Sequence, residues 1–355
     1  MATPRQLVND LKDRRTLRGW SQDEMARRCG LSRAGISAIE TDRLIPSAAA
    51  ALALAEALEC RVEDIFRFPR PQAAEPLAAW AWPPPREPWR YWHADVGGRL
   101  IYYPTEATPL GMPPHDGMSL GGSFQGQGAS DPQRTLVIAS CDPAAGLLAA
   151  ELAQAARVRL IALPRSSRAA LVLLGKGLVH AAGIHLTGTD QPDGNAAIVR
   201  RELGPGYSLL RVARWEEGII CSPGLGFRTV DEAVRSNRRW IGREPGSGAQ
   251  QCLDELLEPR RLPRRLASDH RGVAEAVRNG WADLGVCLRL VSEEAGLPFL
   301  RVRDEVYDLC VPERWEQDQR IQALVYAVRS ASYRKALGDL PGYDVNGSGE
   351  HQRIP

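Results

Sequence analysis

Two hydrophobic periodicities divide the chain. Up to about residue 68 the apolar positions recur at helical spacing, and from residue 134 short apolar runs alternate with amphipathic stretches. In the first region Leu7, Leu11 and Trp20 fall on a first helix. Ser21-Gln22-Asp23-Glu24 reads as a capping box, in which the Ser21 hydroxyl and the Glu24 carboxylate each satisfy an orphan N–H, so a second helix begins near Gln22. Ser32 then caps a third helix over 33 to 40. Pro46-Ser47 opens an Ala/Leu-rich helix to Leu58, and 62 to 66 closes an all-helical bundle.

The second region reads differently. Thr135-Leu136-Val137-Ile138-Ala139 is a buried-type strand, Asp142-Pro143 begins a helix to about Ala156, and 158 to 163 is a second strand. Arg165-Ser166-Ser167 precedes another helix, and 179 to 183 forms a third strand. This βαβαβ order predicts a parallel sheet. The alternation recurs around Arg239-Trp240-Ile241, Gly246-Ser247-Gly248, a helix over 270 to 279 and a strand over 283 to 288, so two α/β lobes are expected. Between the two regions, Pro69, Pro71, Pro76 and Trp80-Ala81-Trp82-Pro83-Pro84-Pro85 read as a semi-rigid spacer. Residues 89 to 96 and 99 to 103 then form two strands around Gly97-Gly98, and 113 to 131 is read as loop. The expected domains are therefore 1 to 68, a Pro/Trp-rich linker with a β-hairpin over 69 to 133, a two-lobed domain over 134 to 345, and a tail over 346 to 355.

Residues 22 to 41 satisfy the helix-turn-helix pattern at its demanding places: Ala26 allows close helix crossing, Gly30 supplies the turn, and Ile36 and Ile39 face the core. The run from Trp20 through Ala26, Ile39-Glu40-Thr41-Asp42-Arg43 and Pro46-Ser47 resembles the Xre/Cro family of lambda-repressor-like DNA-binding domains. That resemblance implies a double-stranded operator as partner and places Gln22, Arg33, Ala34, Ser37 and Arg43 against it, the early recognition-helix residues at base edges and the others mostly at phosphates. Charge adds little, since residues 1 to 68 hold eleven Arg/Lys against ten Asp/Glu.

Composition narrows the classes. A chain of 355 residues, 44% hydrophobic and 25% charged with net charge +2, has the make-up of a globular protein of two or three domains. The cysteines at 29, 60, 141, 221, 252, 287 and 310 show no CxxC spacing and read as reduced thiols. The six histidines form no metal-ligand spacing with cysteines or acids, so no metal and no cofactor is expected. No stretch approaches the roughly 18 apolar residues of a membrane span, and a polar N-terminus points to a cytoplasmic protein. No P-loop, G-x-S-x-G elbow or Rossmann fingerprint is found, and no catalytic residues are assigned.

The candidate ligand chemistry sits where strands end and helices begin. Ser140, Ser166-Ser167, Gly246-Ser247-Gly248 and the stretch from Asp269 to Gly272 stand at such junctions, where free N–H groups and the helix dipole favour an anion; each serine is also an ordinary cap. Asp142 is most simply an N-cap with Pro143 at the first helical position. The blocks Val137 to Ala144, Ala182-Gly183-Ile184-His185-Leu186, Arg214 to Gly218, Arg243 to Gln250, His270-Arg271-Gly272-Val273-Ala274 and Glu305-Val306-Tyr307-Asp308-Leu309 resemble the periplasmic-binding-protein-like domain related to molybdate-binding proteins. The resemblance implies two lobes closing on a small ligand, with Ser140, Ser166 or Ser167, Ser247, the neighbourhood of Ala274, and Tyr307 at ligand positions. Arg165-Ser166-Ser167-Arg168, and Ala249-Gln250 in place of a common Thr-Arg, depart from that family. Arg165 is therefore added as a replacement positive charge, and Asp142, His185, Gly246, Gln250 and His270 complete the candidate set.

Together these features imply a ligand-responsive one-component regulator, dimeric on a palindromic operator, with an oxyanion such as molybdate or a small organic acid as effector. A constitutive repressor or scaffold whose C-terminal domain only dimerises, and a sensor of another small organic ligand, are the competing readings.

Overall fold

The computed structural model describes residues 8–67, 79–108, 114–126, 130–188, 194–257 and 262–355. The chain separates into two compact units, residues 1–77 and 78–355.

In the first unit five helices, Leu11–Leu17, Gln22–Cys29, Arg33–Glu40, Ala48–Ala57 and Val62–Ile65, surround Leu11, Met25, Ala26, Ile36, Ile39 and Leu54. Val8–Asn9 pairs antiparallel with Phe66–Arg67 and ties the ends of the bundle together. The caps lie where the sequence places them. Ser21 accepts from the Glu24 N–H at 3.1 Å, Ser32 from Gly35 at 3.0 Å, Ser47 from Ala50 at 3.2 Å, and Gly30 adopts φ 66° at the turn. The capping box is only half made, because the Glu24 carboxylate pairs with Arg27 and Arg28. Trp20 lies beyond the first helix, after Gly19 at φ 71°, with the Arg28 guanidinium 4.4 Å from its ring centre. Leu7 lies outside the described residues.

In the second unit the expected spacer is a structured sheet. Five strands run in the order Ala79–Trp80, Arg99–Pro104, Trp89–Val96, Gly117–Leu120, Ser123–Gly126. The expected loop over 113 to 131 thus contains a hairpin, turning at Gly121 and Gly122 with φ 59° and 78°. Alternation explains the difference: Trp92, Ala94 and Val96 point one way with Ile101 and Tyr103, and all five are buried against Val137, Ala139, Ile161 and Leu163 of the first lobe. Hydrogen bonds complete the seam, with Tyr103 Oη donating to Leu178 O at 2.7 Å and Arg99 to Gly177 O at 2.7 Å. The prolines had suggested a linker, but the aromatic face between them is core. Pro69, Pro71 and Pro76 lie outside the described residues.

The first lobe carries parallel strands Thr135–Ser140, Arg159–Pro164 and Ala181–Ile184, linked by helices Ala145–Ala156 and Ser167–Gly175. The second carries Trp240–Arg243, Leu284–Leu288 and Leu266–Ala267, with helices Gly248–Leu256 and His270–Arg278. Two long antiparallel strands, Tyr207–Cys221 and Phe299–Pro312, belong to both lobes and make one ten-stranded sheet. The expected tail is also part of it: His351–Ile354 pairs with Tyr207 to Leu210, and Ile354 is buried. The helix expected at Asp142 starts at Ala145. Among the described residues no helix is long and apolar enough to cross a membrane.

His180 fixes one corner of the first lobe. Its Nδ1 accepts from the Val137 N–H at 2.9 Å, so Nε2 carries the proton and donates to Asp95 O at 2.9 Å. Arg320 donates to the same carbonyl at 2.6 Å. Burial first, then the nearby Arg320 charge, push the His180 imidazole from 6.5 down to about 4. The unfolded chain therefore binds this proton below pH 6.5, whereas the folded one resists it until about pH 4. The pair should remove about 3 kcal/mol of stability as pH falls through that window. His180→Asn keeps an acceptor for Val137 but does not titrate, so its urea midpoint should change less between pH 7 and 4 than that of the parent; equal changes would refute the assignment.

Candidate functional site

The recognition helix presents Arg33 and Ala34 to solvent and Ser37 half-exposed, and Arg43 is exposed beyond its C-terminus. Arg33 is held only loosely, 3.6 Å from Asp23, with both side chains more than half exposed. Gln22 is half-buried and committed inward, donating to Glu40 Oε2 at 2.8 Å. Arg15 meets the same carboxylate at 2.5 Å and also donates to Trp20 O. Burial opposes the charge on Glu40, but Arg15 and Gln22 outweigh it and hold the carboxyl below its ordinary value. An ion pair thus ties the recognition helix to the first helix and a hydrogen bond ties it to the other helix of the motif, leaving Arg33, Ala34, Ser37 and Arg43 unencumbered by the core.

In the two-lobed unit the strand ends converge on a buried polar cluster. Ser140 Oγ lies 2.6 Å from Tyr307 Oη and accepts from the Asp142 N–H at 3.1 Å. Tyr307 stacks on Trp215, rings 15° apart with centres at 4.5 Å, so both long strands contribute to this wall. Ser167 Oγ accepts from the His185 N–H at 3.1 Å. His185 then joins three segments: its Nε2 is 2.9 Å from Cys141 Sγ, and its Nδ1 is 2.6 Å from Glu305 Oε2. From the second lobe Gly248 approaches so closely that a Cβ there would lie 2.3 Å from His185 O. His270 completes the cluster with its ring centre 5.8 Å from that of His185.

A cavity of about 300 Å³ opens on this cluster, lined by Cys141, Pro143 and Pro164 of the first lobe, Asp269, His270 and Arg271 of the second, and Ala107 and Thr108. Ser140, Ser167, His185, His270 and Tyr307 are thus brought together as a connected buried group. Ser166, also buried, occupies the N-cap position of its helix without accepting a capping hydrogen bond. Ser247 caps its own helix, accepting from Gln250 N and donating to Glu244 O. Asp142 is engaged within the protein, accepting from the Ala144 N–H at 2.9 Å and from Tyr343 Oη at 2.8 Å, and burial pushes its carboxyl up.

Three candidates lie apart from the cluster. Arg165 pairs with Glu106 at 2.8 Å and sits 4.8 Å from the centre of the Trp82 ring, so the aromatic sheet takes the charge that the cleft was expected to use. Gln250 turns back into its own lobe, bonding Asp254 and the Arg243 N–H. Gly246, at φ 90°, packs against the Arg168 side chain and accepts from the Arg168 N–H.

Sequence reasoning missed Cys141, Arg243, Glu217, Arg303 and Glu305. Arg303 donates to Glu305 at 2.6 Å and to Glu217 at 3.1 Å, and Trp215 Nε1 donates to Glu305 at 3.3 Å. Burial and then repulsion from Glu305 push the Glu217 carboxyl up to about 8. Arg243 is buried and pairs with Glu244 at 3.0 Å, yet its Nη1 has no partner among the described residues. Both His270 ring nitrogens are likewise unpartnered, and burial, then Arg243 and His185, hold that imidazole neutral. The usable signal was position: Cys141 follows Ser140 at a strand end, and Arg243 ends another strand.

A helix-turn-helix head and a two-lobed solute-binding domain define the class. The chain belongs to the PBP superfamily, whose domain model matches residues 149–329, and a helix-turn-helix model matches residues 11–65. An uncharacterized Bacillus subtilis protein, YvgK, is 25% identical over 230 residues, which are 62% of this chain and 74% of that protein. Among solved structures, the tungstate ABC transporter protein of Geobacter sulfurreducens has a TM-score of 0.46 at 15% identity, covering 58% of this chain and 98% of its own. PhnD1 of Prochlorococcus marinus, in complex with methylphosphonate, has a TM-score of 0.43 at 12% identity, covering 62% and 93%.

The contact at Gly248 offers a direct check on lobe packing. Gly248→Ala places a methyl against backbone that cannot swing aside and should cost about 1–3 kcal/mol by overpacking. A lowered urea midpoint is expected; an unchanged one means the lobes do not meet at His185.

Proposed function

We propose that the protein is a non-enzymatic, ligand-responsive transcriptional regulator whose interlobe cavity takes a small acidic solute. The observation that carries this reading is a cavity with walls from both lobes, so a ligand touching both responds to their separation. Arg243 supports the acidic class: it does not line the cavity, but its buried guanidinium acts on His270, which does, and favours an anion beside that imidazole. An oxyanion such as molybdate belongs to that class, though Arg165 does not contribute to it. At the other end Arg33, Ala34, Ser37 and Arg43 meet DNA, and two heads in a dimer read half-sites of a palindromic operator.

Arg33→Ala should weaken binding to an operator selected from genomic DNA by roughly tenfold or more, the loss typical of one good base contact. The melting temperature should stay unchanged, since Arg33 has only an exposed 3.6 Å ion pair to lose. Unaltered anisotropy titrations would refute the placement of the recognition helix. Thermal-shift screening with molybdate, tungstate, sulfate, sulfonates and small carboxylates tests the other end, a ligand at about a hundred times its Kd adding about 2.7 kcal/mol. If every compound leaves both melting and operator affinity unchanged, the constitutive-repressor reading replaces the sensor.

A further inference from the structure

We propose that Cys141, His185 and His270 form a site for a thiophilic first-row metal ion of the zinc(II) type, and that the ion acts on the regulator through the interlobe cavity. The second half of this statement rests on the regulatory reading above; the first does not. The three donor atoms come from segments far apart in sequence, all three residues are buried, and their ligating atoms lie within 4.8 Å of one another. Cys141 Sγ and His185 Nε2 are 2.9 Å apart. A tetrahedral ion with bonds of about 2.0–2.3 Å spaces its donors roughly 3.5 Å apart, between these two values, so small side-chain rotations complete the geometry.

Two independent features point to an ion. His270 is fully enclosed with neither ring nitrogen hydrogen-bonded among the described residues. An orphaned buried imidazole is costly, and metal ligation is a direct way to satisfy it. His185 offers the second feature. Its Nε2 faces the cluster while its Nδ1 meets the Glu305 carboxylate at 2.6 Å, which fixes ring orientation and tautomer as the outer partner of a metal-bound histidine does. Glu305 is in turn held by Arg303 and by Trp215, so the orientation of His185 is braced by both long strands.

One thiolate and two imidazoles leave a position free on a tetrahedral ion, and Cys141 and His270 both line the cavity through which a further donor would arrive. The set N₂S suits zinc(II), and copper ions also accept it. The charge is consistent with an anionic fourth donor: a divalent ion bound to one thiolate retains positive charge, and Arg243 adds to it. An acidic solute then binds to the ion as well as to the protein. The ligand positions evade a search for sequence motifs because a strand end, a second strand end and a helix start in the opposite lobe each supply one.

The test uses the full-length, chelator-treated, reduced protein and cobalt(II) as a spectroscopic stand-in for zinc(II). One equivalent should produce a thiolate-to-cobalt charge-transfer band with tetrahedral ligand-field bands, displaced by zinc(II). Cys141→Ser should abolish the charge-transfer band, His270→Asn should weaken binding at least tenfold, and Cys60→Ser, in the other unit, should change neither. Native mass spectrometry of each variant checks that folded protein is being compared. Absence of the band, or its survival in Cys141→Ser, overturns the site. Operator affinity with and without zinc(II) separates the two readings. A bound ion that leaves DNA binding unchanged, with and without added acids, removes the regulatory role but keeps the site; a solute that shifts melting in protein that binds no cobalt(II) does the reverse.

Discussion

Glu305 is wholly buried, and a buried carboxylate persists only where donors replace the water it has lost. Its position on the long strand Phe299–Pro312 decides where those donors come from. His185 reaches it from the first lobe, Trp215 from the antiparallel partner strand, and Arg303 from the same strand. Arg303 also donates to Gly248 O at 3.2 Å, at the start of a helix in the second lobe. Satisfying one charge therefore draws both lobes and both crossing strands onto one point. Glu305, Trp215 and Arg303 stand on long strands, so the carboxylate that orients His185 is held before any ligand arrives.

That arrangement sets what a ligand can accomplish. A solute changes a conformational equilibrium only by the difference between its affinities for the two states. Groups supplied by one lobe alone would bind equally well however the lobes stood. Here Cys141 and Pro143 face Asp269, His270 and Arg271 across the cavity, and contact with both sets falls when they separate. The energy available to regulation is thus the energy of the second lobe's contacts.

Much of this was legible in the sequence where a local rule governs. Ser21, Ser32 and Ser47 cap helices because their hydroxyls accept first-turn N–H groups that have no partner within the helix, and Gly30 takes a conformation that a Cβ resists. The βαβ order followed equally from apolar runs alternating with amphipathic ones. What was hidden depends on contacts between distant segments. The strands at 89 to 96 and 99 to 103 were legible, but that they join Ala79–Trp80 and the hairpin within 113 to 131 in one sheet covered by the first lobe was not. Arg165 was expected at the cleft as a replacement positive charge, but it pairs with Glu106 and lies over the Trp82 ring. Cys141 is 44 residues from His185, a separation at which no spacing rule operates.

The relocation of charge follows from the same chemistry. Helix N-termini with serine caps favour anions weakly and without regard to identity, and here the Gln250 N–H at one such end is consumed by the Ser247 cap within the protein. Asp142, which in the cleft would repel an acid, is instead enclosed with Tyr343 and pushed toward its neutral form by burial. With Arg165 diverted, Arg243 remains as an enclosed cation that acts on His270. A low-dielectric surrounding strengthens its attraction for an incoming anion and makes its unpaired nitrogen costly while none is bound.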